Sequence, residues 1–558
     1  MIRPILLHGG HVHIGDGRSA EAILVRDGRV AAVGDAKALR RDASDAELVD
    51  VRGGLVVPGW TDAHVHFMWW SFQMTQLDLR DTRTVDDALG RIQRHVAGLR
   101  PGAWLVGGRF DKNVWGRWPT AAELDRVTGD RPAVLRTRDG HCRWLNSRAL
   151  ALAGIGPATT DPEGGRIGRD AAGRPDGILY ENAGRMADAV IPPPTSDDCL
   201  AALRRGQEEA WRRGVVGIED FEDAMAYRAW RRLHEAGDLG IRVRMGIPYH
   251  SLAAAAREDD KKMFASMSRN PVIEDLDRAS ASAPAHDLAT ALASGMKTGD
   301  GDEWLRIGHL KIFTDGALGS QTAALEEPYA GSEDRGILTI ERGEIIDAVA
   351  RAAQAGIAVA IHAIGDRAVH LALDAIEPTR STAPRLRQKV EHVQLVRADD
   401  LGRFAKLGIV ASMQPIHATS DRDLADQYWG AERTKRAYPW RALLSSGAVL
   451  AFGSDAPVEP IDPLLGIHAA VARRRPADTA AWTPEQRLTL DEALAGYSSG
   501  AAYSLGRETE AGTLAPGMAA DITVLDRDLA QLRDVQLLEA RVSGAITGGV
   551  VRFAEGLG

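Results

Sequence analysis

Cysteine is almost missing from this chain: Cys142 and Cys199 are the only two in 558 residues. A disulfide framework is excluded, and so is any zinc or iron–sulfur site built on thiolates. Positive charge is in deficit, with 68 Lys and Arg against 77 Asp and Glu, a net charge of -9 and no long basic run. The electrostatic footprint of a nucleic-acid binder is therefore absent. No run of about 18 apolar residues occurs, so no membrane-spanning helix and no membrane partner are expected. Met1 to Ala20 offers one arginine, Arg3, and the short apolar run Ile5-Leu6-Leu7. It lacks the longer apolar stretch and cleavage site of a signal peptide, and a cytoplasmic protein is expected. Lysine is scarce beside arginine, which makes a lysine inside an apolar run conspicuous. With 44% apolar residues the chain can build a substantial core, so a metal site in it would serve function rather than basic stability.

Both ends read as short strands with tight turns. Ile5-Leu6-Leu7, Ala22 to Val25 and Val30 to Val33 are punctuated by Gly9-Gly10, Gly15-Asp16-Gly17 and Asp27-Gly28. Ala520 to Leu525 and Val550 to Phe553 have the same texture. Neither piece can form a core alone, so residues 1–57 and 508–558 are expected to pair as one composite β-sandwich.

Between them, residues 58–507 alternate apolar strands with Ala/Leu/Arg-rich helices. Eight strands are expected, near residues 54–57, 214–218, 241–245, 310–313, 357–361, 389–391, 408–411 and 448–452. That rhythm predicts an α/β fold, a (β/α)8 TIM barrel. The stretch between the first two strands is far too long for one crossover helix. An inserted α+β subdomain, roughly 75–180 and rich in Trp and Arg, accounts for it. Ser280 to Ser294 reads as an exposed loop.

The chemistry starts at Pro58-Gly59-Trp60-Thr61-Asp62-Ala63-His64-Val65-His66. Side chains two apart on an extended strand point the same way, so His64 and His66 can reach one metal. His11-Val12-His13 has the same spacing but sits in the terminal strand piece, with no barrel behind it, and is read as structural. Company distinguishes the two pairs. His362, His392 and Asp455 each stand at the end of a separate apolar strand, where barrel enzymes keep their active sites. Each alone is ordinary as a helix cap; five at one rim are not. The nitrogen and oxygen set suits zinc, and also manganese, iron or nickel. Lys311, flanked by apolar neighbours, is expensive as a buried ammonium. It can pair with a carboxylate, Asp315 being the local candidate, or be carboxylated by carbon dioxide into an anion that bridges two metals. The sequence leaves both open.

Pro-Gly-x-x-Asp-x-His-x-His, a strand lysine, two isolated strand-end histidines and Gly453-Ser454-Asp455 together resemble the amidohydrolase superfamily. Lys311 to Ala323, Asp139-Gly140-His141 with Asn146-Ser147, Gln414-Pro415 and Ser454 to Glu459 are similar to its amidohydrolase-3 branch, which holds the YtcJ-like proteins and N-substituted formamide deformylase. The resemblance covers nearly the whole chain. It implies that His64, His66 and Asp455 hold one metal, that His362 and His392 hold a second, and that carboxylated Lys311 bridges them. One or two zinc ions and a homodimer are implied as well.

The expected activity is hydrolysis of a non-peptide carbon–nitrogen bond in a small amide or N-substituted formamide. A metal-activated water attacks, and Asp455 serves as general base and then acid. A cyclic amide hydrolase or deaminase is the rival within enzymes, and an inert binding protein the distant alternative. His417 and His141 are further candidates for the catalytic set, touching the substrate. Asp62 and Glu391 are placed to brace the imidazoles, Asp62 equally as a structural hydrogen-bond acceptor. Asp315 is read as orienting its loop, and Glu219-Asp220 as facing the metals or capping a helix. Arg109, Trp115, Tyr249 and His250 are candidate entrance residues.

Overall fold

The computed structural model describes residues 3–15, 17–137, 142–162, 165–181, 183–192, 194–249, 287–319 and 321–558. The chain divides into two compact units, one of Met1–Trp69 with Ser196–Gly558 and one of Trp70–Thr195.

The first unit is built on an 8-stranded parallel sheet. Its strands are β1 (Trp60–Val65), β2 (Val215–Asp220), β3 (Arg242–Pro248), β4 (Leu305–Phe313), β5 (Val359–Ala363), β6 (Lys389–His392), β7 (Val410–Met413) and β8 (Leu450–Phe452). Each pairs in parallel with its neighbour in chain order. The ring closes through backbone bonds just past the strands: Asp455 N donates to His64 O at 2.7 Å and His66 N to Ala456 O at 2.8 Å. Gly453 permits this approach, because a Cβ there would lie 2.6 Å from His64 N.

Helices cover the sheet by their apolar stripes. Arg342–Gln354, before β5, buries Ile345, Ala348, Val349, Ala352 and Ala353, the spacing of one helical face.

The two ends of the chain form a sandwich beside this barrel. A 4-stranded sheet holds Arg29–Gly34, Ala22–Arg26, Ile5–His8 and Glu47–Asp50, and a 6-stranded sheet includes Leu55–Pro58, Ile522–Leu525 and Val542–Thr547. Ile5, Leu7, Ile23 and Val25 of the first pack with Val12, Val56, Ile522 and Val524 of the second.

One strand expectation is corrected here. Residues 54–57 do not open the barrel: Leu55–Pro58 pairs with Ile522–Leu525 and His11–His13 in the sandwich. The first barrel strand is Trp60–Val65, resumed after Gly59. The apolar run could not distinguish these, because one extended segment serves both sheets in succession.

The second unit has its own 6-stranded mixed sheet and its own core, in which Phe110, Trp115, Trp144, Leu124 and Leu135 are buried. Of the expected loop at 280–294, residues 280–286 lie outside the described residues. The remainder includes a helix, Leu288–Ser294, capped by Asp287 accepting from Thr290 N and ended at Gly295 with φ 70°.

Candidate metal centre

β1 delivers His64 and its chain continues straight to His66, while β8 leads through Gly453-Ser454 to Asp455. Asp455 Oδ1 lies 3.4 Å from His64 Nε2 and 3.5 Å from His66 Nε2. Its Oδ2 lies 3.8 Å from His417 Nε2. His64, His66 and Asp455 form one group compact enough to hold a cation, and His392, His417 and Asp455 form another. His362 joins them: its ring centroid is 4.5 Å from that of His392, which is 4.9 Å from that of His64. Asp455 and His392 both occupy the left-handed backbone region, at φ 58° and 71°. Strain of this kind, about 1–3 kcal/mol per residue, persists where the surroundings over-determine a functional geometry.

Three of the imidazoles spend one nitrogen on a fixed partner. His64 Nδ1 donates to Glu391 at 2.8 Å, His392 Nδ1 to Gln414 Oε1 at 2.8 Å, and His362 Nε2 to the Gly316 carbonyl at 3.0 Å. The remaining nitrogens, Nε2 of His64 and His392 and Nδ1 of His362, are the ones left to act as ligands. Burial pulls His66 down to about 4 and His362 down to about 3, and puts His392 well below its ordinary value. These rings are therefore neutral, the form that binds metal. Burial pushes Asp455 up, but the contact with His64 outweighs it and holds the carboxylate well below its usual range. His64 alone shifts the other way: burial and Lys311 lower it, but Glu391 and Asp455 outweigh them and raise it. Three neutral imidazoles beside an ionised carboxylate fit a divalent cation.

Two buried lysines stand within the barrel, in opposite circumstances. Lys311 on β4 has no ion-pair partner among the described residues. Its Nζ reaches His64 Nε2 at 3.5 Å and lies over the rings of Phe221 and Phe313, 4.8 and 4.9 Å from their centroids. Burial lowers it to about 8. Pairing with Asp315 does not occur: that carboxylate accepts from the amides of Ala324, Ile364 and Gly365, and so ties the loop after β4 to the end of β5.

Lys389 on β6, fully buried, is clamped by Glu219 at 2.7 Å, Glu391 at 2.8 Å and the Ala63 carbonyl at 3.0 Å. Burial opposes its charge, but the two carboxylates win and raise it above the ordinary lysine value. A buried chain results, His309–Glu219–Lys389–Glu391–His64, with His309 Nδ1 2.6 Å from Glu219. Barrel interiors are ordinarily filled by Val, Ile and Leu layers. Here a layer of charge stands behind the first histidine.

Lys389 was not among the expected site residues. The signal available was its spacing, since Lys389 and Glu391 share one face of a buried strand whose other face carries Val390 and His392. Removing it leaves two buried carboxylates uncompensated. Lys389→Met is expected to destabilise the fold by about 3–5 kcal/mol, read as a fall in the denaturation midpoint. An unchanged midpoint would show that the chain is not held by this cation.

The other expected residues sort clearly. Asp62 braces backbone rather than a ring, accepting from His64 N at 3.1 Å, Ser454 N at 2.9 Å and Ser454 Oγ at 2.5 Å. Glu219 faces Lys389, not the metal ligands. Asp220 accepts from Phe67 N at 3.0 Å and Trp230 Nε1 at 2.9 Å, and Glu222 accepts from Trp69 N at 2.5 Å. Both carboxylates thus fix the start of α1 (Phe67–Thr75), directly after His66. His417 is buried with its Nε2 unpartnered, aimed at Asp455, while Gln394 lies 3.3 Å from its Nδ1. His141 and His250 lie outside the described residues. Trp115 stacks on Phe110 in the core of its own unit, Arg109 lies 3.9 Å from Asp78, and Tyr249 donates to Glu344 at 3.0 Å. His11 pairs with Asp528 at 3.2 Å within the sandwich and belongs to neither metal-competent group.

Comparison with known proteins agrees with this arrangement. The sequence profile of the amidohydrolase family matches residues 47–553. The chain is 30% identical over 571 residues to N-substituted formamide deformylase from Arthrobacter pascens, covering 99% of this chain and 98% of that one. It is 29% identical over 557 residues to the putative amidohydrolase YtcJ of Bacillus subtilis, covering 98% of each. Among solved structures, an uncharacterised metal-dependent hydrolase from Pyrococcus horikoshii superposes with a TM-score of 0.75 at 27% identity, covering 95% of this chain and 99% of that one. The chain belongs to the amidohydrolase family, in its amidohydrolase-3 branch with YtcJ and the formamide deformylase, and is a metal-dependent hydrolase.

Proposed function

We propose that the protein hydrolyses the carbon–nitrogen bond of a small N-substituted formamide with an apolar substituent, releasing formate and an amine. The observation that carries the reaction is the position of Asp455, whose two carboxylate oxygens face His64 and His66 on one side and His417 on the other. His64, His66 and Asp455 would hold one zinc ion, His362 and His392 a second, and Lys311 in carboxylated form would join them. The metal, when bound, lowers the pKa of water and polarises a carbonyl oxygen.

The protein's own part follows from the contacts. Asp455, kept ionised by its neighbours, accepts the proton of the attacking water and returns it to the leaving nitrogen as the carbon–nitrogen bond breaks. His417 Nε2, buried and unpartnered, is placed to bind the substrate carbonyl oxygen. Glu391 and Gln414 hold two ligand rings in orientation. Lys311 carries the features that carboxylation needs: no carboxylate partner, depressed basicity and an apolar wall.

The substrate preference rests on three large apolar side chains left exposed beside the ligands. Trp69 is 50% exposed with its ring 6.2 Å from that of His66, and Phe313 is 46% exposed with its ring 5.1 Å from that of His362. Val458, 61% exposed, closes the turn that Asp455 opens, its amide donating to the Asp455 carbonyl at 2.8 Å. An apolar rim at a polar centre favours a substrate with a polar reacting end and an apolar tail.

Amine release from N-butylformamide and N-phenethylformamide, against formamide itself, tests this. The zinc-loaded protein is expected to favour the substituted compounds by about tenfold or more in kcat/KM, and to lose activity to a chelator and regain it with zinc. Inertness towards every formamide, with ring opening of a cyclic amide, would overturn the substrate reading.

A further inference from the structure

The opposite end of the barrel carries a second concentration of charge. Arg242 and Arg244 come from the start of β3, Arg306 from the start of β4, and Arg507 from the segment after the helix Ser499–Ser504. With Thr61, Gly217 and Glu303, whose carboxylate stands 3.5 Å from the Arg242 guanidinium, they line a small cavity with room for a single water-sized sphere. Two of the four guanidiniums are satisfied. Arg242 makes a bidentate pair with Asp521 at 2.5 and 3.0 Å, and Arg306 pairs with Glu510 at 3.0 Å.

The other two are not. Arg244 is 4% exposed and Arg507 6% exposed, and the Nε of each is buried with no hydrogen-bond partner among the described residues. Arg244 forms no ion pair among those residues. Arg507 makes only loose ion pairs, with Glu510 at 3.7 Å and Asp521 at 3.9 Å, both beyond hydrogen-bonding reach, which leaves Arg244 as the cation without a counter-charge. The nearest interior carboxylate, Glu219, is already committed to Lys389 and His309. Burial and the neighbouring arginines depress both groups to about 10.

A buried cation without a partner is costly, and guanidinium offers only donors. A water in the cavity would accept two N–H groups but neutralise no charge. A small anion satisfies both requirements at once. Phosphate, sulfate and larger carboxylates exceed the space.

We propose that this cavity binds one monovalent anion of chloride size, held between Arg244 and Arg507. The anion supplies the missing negative charge where the barrel meets the sandwich, since Asp521 directly precedes the sandwich strand Ile522–Leu525.

Crystals of the full chain grown in sodium bromide are expected to show an anomalous peak within hydrogen-bonding distance of Arg244 and Arg507. A peak there establishes the site; ordinary solvent density without anomalous signal at saturating bromide overturns it. In solution, the Tm of the wild-type protein is expected to rise by a few degrees between about 1 and about 100 mM chloride, with gluconate holding ionic strength constant. Arg244→Met should abolish that dependence. A chloride response of wild-type size retained in Arg244→Met counts against the site. Should Arg244→Met not fold, the bromide experiment on the wild-type protein still decides.

Discussion

Asp455→Asn is expected to lower the turnover of an N-substituted formamide by about 10³-fold or more while leaving the protein folded. Asparagine keeps the size of the side chain and tolerates the left-handed backbone that Asp455 adopts at φ 58°, so the turn after β8 should survive. The amide cannot take a proton from water and deliver it to nitrogen. It is also a poorer metal ligand, so zinc content should be measured beside kcat. A variant that retains turnover within about tenfold would remove Asp455 from the proton transfer, the size of effect being that of general acid–base catalysis. The Tm should change little, because the backbone bond from residue 455 to the His64 carbonyl does not depend on the side chain.

Lys311→Met is expected to separate the two buried lysines. Methionine keeps an unbranched apolar stem one atom shorter than lysine, and it removes the unpaired ammonium that lies over the Phe221 and Phe313 rings. Stability should therefore hold or rise, opposite to the loss expected for Lys389→Met. Metal affinity should fall by about 100-fold or more, past the range seen when only outer partners of the ligands are lost. The wild-type protein exposed to carbon-13-labelled bicarbonate and zinc should give a carbamate carbonyl resonance that is missing in the variant. Wild-type zinc affinity in Lys311→Met, with no such resonance in either protein, would refute the bridging role.

The parts of this site that were legible in sequence are those where chemistry interrupts a hydrophobic pattern. His64, His66, His362, His392 and Asp455 each stand at the end of an apolar strand, and the structure brings all five to one end of the ring. Strand rhythm likewise predicted the eight-stranded barrel and the pairing of the two ends of the chain. What escaped depends on contacts between distant segments. Lys389 and Glu391 alternate visibly, but their meaning comes from Glu219 and His309 on other strands. The single segment from Gly54 onward reads as one strand because nothing in a local pattern distinguishes leaving one sheet from entering the next. Arg244 and Arg507 are ordinary in sequence; only their convergence on one cavity, each with a buried Nε lacking a hydrogen bond, marks them.

Gly59 makes the sandwich inseparable from the catalytic barrel. It is the single residue between a sandwich strand and the strand that ends in His64, and its amide donates to the Asp521 carbonyl at 2.8 Å. A side chain there would press on Val216 at 2.4 Å and on the Asp521 backbone at 2.8 Å. No hinge exists at this seam. A chimera that exchanged only the leading or only the trailing segment with a relative would shift the register of the metal-bearing strand, so transplantation has to move both ends of the polypeptide together.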